Sequence, residues 1–429
     1  MRDKSIPPPR LFRSSDPSTA SCARRVHEIC NTAAWRTVNP AGKCRYTALA
    51  LLWPFIAAGM SIRWLRRNAA AIRALGGKGA ARQFVEILGL AVRHRLSPRY
   101  YYMFELYLDE RRAKAGDYLM RYETKEIAYR LLKPEGGPSG VAIKDKLQCP
   151  DFCRTHDLPA IALTAAFRDR RRVGGDGTLP RADLFVKRVF GKGGARAERW
   201  NWTGTRYRST QGEECDGPAL LQHVAELSRR EAYLIQPAVN NHPDLADLTV
   251  GALATVRMLS CRDERGGYEV TNASFRTSIN PKSPVDNIHA GGIAAPVDLA
   301  TGRLGRATDL GLRVTSRWHE RHPETGAPIL GRELPHWQAA LDLCRRAHAL
   351  IGDRVVVGWD VAILEDGPCL VEGNGKPDVD LMQRPHGTGL GNSRFGELVA
   401  HHVKAFLAGE TANGRRPAEI QAAIDAARR

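Results

Sequence analysis

Three residues near the end of this chain, Asp360, Glu372 and Asn374, carry the oxygen-bearing side chains that a hard cation such as Mg2+ prefers. They lie in "GWDVAILEDGPCLVEGNGKPDVD", residues 358 to 380. Apolar and polar residues alternate there up to Asp360, turn at Asp366-Gly367-Pro368, and alternate again to Glu372 and Asn374. The alternation predicts a β-hairpin, and Glu372 and Asn374, two apart on one strand, then share a face. A magnesium ion holding a nucleotide takes one or two carboxylates and draws most of its other ligands from phosphate oxygens. The set suits such an ion, and a chance grouping on a surface hairpin fits the spacing equally well.

A second candidate lies upstream, where "DLFVKRVF" reads as a strand bearing Lys187 and "GKGGA" follows with Gly191, Gly193 and Gly194. Glycines leave backbone N–H groups free to approach phosphate oxygens, and a lysine on the preceding strand adds a positive point charge. The pattern is not a Walker loop, which needs GxxxxGK[ST]. It is not a dinucleotide fingerprint either, since Arg196 stands where the last glycine belongs. A glycine-rich hairpin turn is the simpler reading of the same residues.

The whole chain frames these candidates. With 429 residues and 43% hydrophobic content it can bury a large core, and single cores stop growing near ~250 residues, so two or three packed units are expected. The formal charge is +18, and residues 1 to 100 hold 18 Lys+Arg against 4 Asp+Glu, which leaves +4 for the rest. An anion-seeking N-terminal region could meet nucleic acid, an anionic membrane surface or an acidic protein, or stay solvated. Nine cysteines form no CxxC pair and no zinc-spaced Cys/His cluster, which suits reduced thiols in a cytoplasmic protein.

The most apolar segment is "TALALLWPFIAAGMSI", residues 47 to 62, with Pro54 inside it and Arg63, Arg66 and Arg67 behind. It is shorter than the ~20 residues that cross a bilayer and too far from Met1 for a usual signal peptide. A buried helix and an interfacial helix, peripheral to the inner face of a membrane, both fit it.

Residues 1–45 mix Pro, Ser and Arg without apolar periodicity, and a poorly ordered basic arm is expected there. A helical pattern follows over 46–135, broken by "KPEGGPSG" at 133 to 140. Beyond it helices alternate with strands: a helix in "KDKLQCPDFCRTHDLP", strands at "AYLIQPAV", "ALATVRMLS" and "YEVTNASFRTS", then a helix from Pro335 to Ile351. The fold class is α/β of the α+β kind.

Taken in order, these pieces resemble the ATP-grasp superfamily of ligases. That superfamily ends its large subdomain in a hairpin with an Asp on one strand and Glu-x-Asn on the next, and opens its small subdomain with a DK-type helix, here Asp145-Lys146. A lysine strand and glycine loop follow, and then a hinge whose amides hold adenine. Within it, the chain is most similar to the sugar-transfer-associated ATP-grasp proteins, through "LSPRYYYMFELY" at 96 to 107, "LIQPAVNNHPDL", "LATVRML", "VDNIHAGGIAAPVD" and "GWDVAILEDGPCLVEGN". The resemblance runs over roughly residues 95 to 390.

The resemblance implies a small subdomain over 136–240, a large one over 241–395 and a helical tail over 396–429. ATP and Mg2+ are its cofactors. Lys146 and Lys187 would meet the α- and β-phosphates, Gly191, Gly193 and Gly194 would close over them, and Gln236, Pro237, Ala238 and Val239 would rim the adenine. Asp247 would contact the ribose, with Asp244 a second candidate. Asp360, Glu372 and Asn374 would hold one or two Mg2+ ions. Arg257 would stand at the γ-phosphate or acyl phosphate, unless it only pairs with an acid inside the domain. Arg276, Asn287, His289, Gly291 and Gly292 are candidates for holding an acceptor.

The implied activity is ligation of a small carboxylate to an amine in peptide-like or cell-surface polysaccharide biosynthesis. A phosphotransferase acting on a hydroxyl acceptor is the alternative, as is a basic membrane- or nucleic-acid-binding protein with a vestigial ATP site. Retention of both lysines and all three metal-ligand candidates speaks against a vestigial site.

Overall fold

The alternating segments are realised as two separate antiparallel sheets in the computed structural model, which describes residues 8, 21–132, 143, 146–190, 197–283, 285–314, 318–352 and 354–409. The smaller sheet holds β1 (Ala165–Arg168), β2 (Arg171–Gly174), β3 (Leu184–Arg188), β4 (Glu198–Trp202), β5 (Tyr207–Ser209), β6 (Glu214–Cys215) and β7 (Tyr233–Pro237) in the order β2-β1-β7-β3-β4-β5-β6. The larger holds β8 (Thr255–Arg262), β9 (Tyr268–Thr277), β10 (Ile293–Val297), β11 (Ala307–Thr308), β12 (Trp318–His319), β13 (Val356–Leu364) and β14 (Gly367–Asn374) in the order β12-β11-β10-β9-β8-β13-β14.

Each sheet buries one face under a helix. Phe167, Leu184, Val186, Trp200 and Ile235 pack with Leu220 and Val224 of the Gly217–Leu227 helix. That helix starts where the Asp216 carboxylate accepts the Ala219 N–H at 2.9 Å. In the larger sheet, Val256, Met258, Phe275, Trp359 and Val361 pack on Ala340, Cys344 and Ala347 of the Trp337–Ile351 helix. Because side chains alternate across a strand, the residues between these point to the opposite face, which is where the polar candidates lie.

The three longest helices ahead of the sheets are α1 (Cys22–Arg36), α2 (Pro40–Ala74) and α3 (Ala80–Arg93). The expectation of a poorly ordered arm over 1–45 does not hold for α1. Its buried stripe is Ala23, Val26, Cys30, Ala33 and Ala34, residues too small to register as an apolar pattern, and it packs against the Arg394–Ala408 helix. Asn392 accepts the Ala23 N–H at 2.8 Å. The same pairing joins α1 to the first part of the expected 396–429 tail, whose residues 410–429 lie outside the described residues, and the Arg394–Ala408 helix runs through the expected boundary at 395. The break at 133 to 140 lies outside the described residues.

Candidate functional site

The polar face of the larger sheet is assembled by register. Asp360 stands opposite Glu372 on one side and opposite Arg257 on the other. Arg257 is paired in turn with Ser274, and Thr255 with Arg276. Directly paired residues share a face, so Glu372, Asn374, Asp360, Arg257, Thr255 and Arg276 all point the same way.

Within this row the charges are already coupled. Arg257 grips Asp360 with two nitrogens, Nη2 at 3.0 Å from Oδ2 and Nε closer to Oδ1. Arg276 adds a contact to Asp360 at 3.2 Å, another to Asp286 at 3.3 Å and a hydrogen bond to Thr255, whose hydroxyl donates to Asp286. Burial alone would raise the Asp360 pKa, but the two guanidiniums hold it below the usual carboxylate range. Asp286, with less compensation, is raised by burial. The pairing of Arg257 with an acid inside the domain is therefore present, on the same face as the other candidates.

Facing this row from the smaller sheet is a cleft open to solvent. Lys146, Lys187, Gln236 and Glu372 line it together with the apolar Ile143, Leu234, Trp359 and Leu370. Lys187 and Gln236 reach it because Lys187 is paired with Leu234 and Phe185 with Gln236, which puts both polar side chains on one face. Residues 159 to 161 tie the sheets at its base. The Ile161 N–H donates to the Leu370 carbonyl at 3.1 Å, the Leu370 N–H to the Pro159 carbonyl at 2.8 Å, and Gln236 Nε2 to the Ile161 carbonyl at 3.2 Å.

Across the cleft Lys146 Nζ lies 3.0 Å from Glu372 Oε2. Lys187 is partly buried beside them, and its pKa is pushed down to about 8, first by burial and then by the Lys146 ammonium, with Glu372 and Asp360 opposing. Lys146, Lys187, Arg257 and Arg276 outnumber Asp360, Glu372 and Asp286, so the cleft and the adjoining face favour a polyanion.

Among the described residues no three His, Cys, Asp or Glu side chains converge on a metal-sized site. The candidate cation set instead joins two carboxylates and an amide. Asn374 Nδ2 is buried without a hydrogen-bond partner, and turning the amide over presents Oδ1 in its place. With Glu372 two residues away on the same face and Asp360 opposite it, the donors are all hard oxygens, which fits Mg2+. Asp360 would have to share its charge with two arginines, so Glu372 and Asn374 are the freer ligands.

Other expected positions fall elsewhere. The Ala238 amide donates to the Asp183 carbonyl at 2.8 Å, and Pro237 has no N–H, so of the four residues 236 to 239 only Gln236 lines the cleft. Asp247 is held by Arg332 at 2.7 Å and does not line the cleft. Asn287 accepts the His289 N–H in a local turn, and Gly291 takes φ +101. Gly191, Gly193, Gly194 and Asp145 lie outside the described residues.

One group of residues was not anticipated. Beyond the hairpin, Asp378 accepts from Lys125 at 2.9 Å and pairs with Arg121 at 3.2 Å, while Asp380 lies 3.6 Å from Arg99 and 3.4 Å from the Tyr100 hydroxyl. Lys125 sits on a π-helical turn, Tyr122–Ala128, a geometry often found at functional sites. Asp380 is pushed up to about 7 by burial and by Asp378, against the pull of Arg99, and both Asp380 Oδ1 and Arg99 Nε are buried without a partner. Three cations against two acids, one of them poised to be neutral, leave the group in want of an anion. The signal was on view as Asp378-Val379-Asp380 directly after the hairpin; its cations come from the helical region, far off in sequence.

The group adjoins the polar face twice. Pro377 packs over Gly358, where an added Cβ would meet its Cβ at 2.6 Å. The loop carrying Asp286, which pairs with Arg276, also carries the exposed His289, within electrostatic reach of Asp378, Arg121 and Lys125.

A family profile described as sugar-transfer associated ATP-grasp matches residues 139–397. Among solved structures the chain is similar to the ATP-grasp ligase PsnB complexed with a phosphomimetic variant of minimal precursor, Mg and ADP. The identity is 14% and the TM-score 0.31, covering 62% of this chain and 59% of that one. It is similar too to D-alanyl-alanine synthetase A of Vibrio cholerae O1 biovar eltor, at 11% identity, a TM-score of 0.36 and coverage of 63% and 67%. A D-alanine–D-alanine ligase of Bacillus anthracis gives 10%, 0.35, 63% and 68%. The match thus spans 59% of the PsnB chain's length. No curated protein matches.

Proposed function

This chain belongs to the sugar-transfer associated ATP-grasp family, and from that membership we propose that it is an ATP-dependent ligase joining a carboxylate to an amine. The product would be a peptide-like compound or a cell-surface polysaccharide. The observation that carries the reading is the cleft between the two sheets, which gathers Lys146, Lys187, Gln236 and Glu372 around an apolar wall beside the row of Asp360, Arg257 and Arg276.

In this reading the base rests against Leu234, Trp359 and Leu370, with the Gln236 amide at its edge. Lys146 leaves Glu372 for the phosphates, and Lys187 neutralises them from the β3 side. Glu372, Asn374 and Asp360 would hold Mg2+, which when bound offsets the charge between the β- and γ-phosphates. Gly191, Gly193 and Gly194 are the candidates for a covering loop. Arg257 and Arg276 stand where charge builds on the transferring phosphoryl group and stabilise it there.

A carboxylate oxygen of the first substrate attacks the γ-phosphorus and ADP leaves. The amine then attacks the acyl carbon of the acyl phosphate, and phosphate leaves with the former carboxylate oxygen. Arg99, Arg121 and Lys125 suit the negative charge of the carboxylate-bearing substrate.

Incubation with Mg-ATP and a panel of carboxylic acids and amines tests the proposal. Amide product with equimolar ADP and phosphate supports ligation, and a phosphorylated acceptor without free phosphate replaces it with phosphotransfer. If no nucleotide turns over and the protein only binds polyanions, with affinity collapsing as salt rises, the basic-surface alternative stands instead.

A further inference from the structure

The α2 and α3 pair presents an apolar face to solvent. Phe55 is 76% exposed, Leu51 64%, Leu52 53% and Ile62 46% on α2, and Val85 is 68% and Val92 48% exposed on α3. Positions 48, 52, 55, 59 and 62 follow the three-and-four spacing of a single helix stripe. The opposite side of α2 is occupied: Trp53, Ala57 and Trp64 are buried, and Trp53 Nε1 donates to the Ala91 carbonyl of α3 at 2.8 Å. Val85 and Val92, two turns apart, extend the exposed face on the neighbouring helix.

Along α2 the charge is of one sign, while Lys78 and Arg82 near the start of α3 pair with Glu86. Between Glu28 and Glu86 the chain has no Asp or Glu and nine basic residues: Arg36, Lys43, Arg45, Arg63, Arg66, Arg67, Arg73, Lys78 and Arg82. Lys43 and Arg45 are exposed before the apolar stretch, and Arg63, Arg66 and Arg67 are exposed after it. The cations of a mixed-charge protein surface would find no acid along α2 to pair with, whereas a bilayer with anionic headgroups over acyl chains matches both the apolar stripe and its basic flanks.

By length and composition α2 is the one described helix that passes as a membrane span, but its buried tryptophans tie it to α3 and to the core. We propose that α2 and α3 dock on an anionic membrane surface, with Leu51, Leu52, Phe55 and Ile62 entering the acyl boundary and the flanking lysine and arginines meeting phosphates. The chain then lies on the membrane without spanning it. The inference is independent of the ligase reading, since it uses no residue of the cleft.

Sedimentation of the full chain with phosphatidylcholine vesicles, with and without phosphatidylglycerol, tests it. Binding is expected only when phosphatidylglycerol is present, weakened by salt and reversed by carbonate washing. Arg63→Glu with Arg66→Glu and Arg67→Glu should lower it on the order of a hundredfold. Leu52→Ser with Phe55→Ser should also lower it, with the thermal melt unchanged because both positions are exposed. No binding to either vesicle overturns the proposal, as does equal binding to neutral vesicles. Carbonate-resistant insertion overturns it in favour of a spanning helix, and a stable dimer dispersed by Phe55→Ser overturns it in favour of a second copy of this chain.

Discussion

Lys146 reaches across the cleft to within 3.0 Å of Glu372, so a cation suited to a triphosphate and a carboxylate suited to a metal ion neutralise each other. The two groups belong to different sides of the cleft, and in the proposed ligase the pair would hold both charges until anionic ligand and cation separate them.

Glu372→Gln should therefore abolish ATP turnover while leaving the fold in place. The pair is partly exposed, Lys146 20% and Glu372 30%, and pairs of that kind contribute about 0–1 kcal/mol. Phosphate release and a urea titration measured on the same preparation check this. Turnover near the parent's level would remove Glu372 from the cation site.

Lys187→Met is expected to lower ATP affinity by about 10- to 100-fold, the loss of a charge-assisted contact. It should at the same time stabilise the empty protein near neutral pH. With its pKa at about 8 in the fold and near 10.4 unfolded, Lys187 binds fewer protons folded than unfolded between those values, so the parent gains stability as pH rises through that window. Below about 8 the cost of burying the ammonium is present in full. Thermal melts from about pH 7 to 10 should show the variant's advantage shrinking as pH rises.

Asp360→Asn should differ in kind from Glu372→Gln. It leaves Arg257 and Arg276 buried, 7% and 5% exposed, without their shared counter-charge. Removing one partner of a buried pair costs about 3–5 kcal/mol, so the urea midpoint should fall sharply and activity be lost with it. A midpoint unmoved from the parent's would mean that the two arginines find other anions, Asp286 first among them.

Removal of residues 1 to 45 should destabilise the whole chain, because it strips α1 from the Arg394–Ala408 helix and uncovers Phe395, Leu398 and Val399. It also breaks the bond between His27 Nδ1 and Glu123, 2.5 Å long, leaving a carboxylate only 2% exposed without that partner. Circular dichroism melts of the shortened and full chains compare the two directly. An unchanged melt would return α1 to the status of a dispensable arm.

Much of the site was legible in local pattern. Strand periodicity is a property of neighbours, so residues 358 to 374 announced their hairpin, and the shared face of Glu372 and Asn374 followed from their spacing. Lys187 on a strand could be read in the same way. Short strands such as β5, β6, β11 and β12, two or three residues long, could not, because they exist only through the neighbours they pair with. The residues 236 to 239 were expected to offer amides to adenine, yet the Ala238 amide is turned to Asp183 by the pairing of β3 with β7.

By itself, then, the sequence determined which residue types were on hand and which face of its own strand each would take, since both depend on spacing along the backbone. Only the tertiary structure decided which charges meet. Arg257 and Asp360 are 103 positions apart and become neighbours through the order β8-β13, and Tyr100 and Asp380, 280 apart, meet where the helical region closes over the end of the hairpin. Sheet order and burial set the distance and dielectric between such groups, and with them which carboxylate is buried against two arginines and which meets a single, partly exposed lysine.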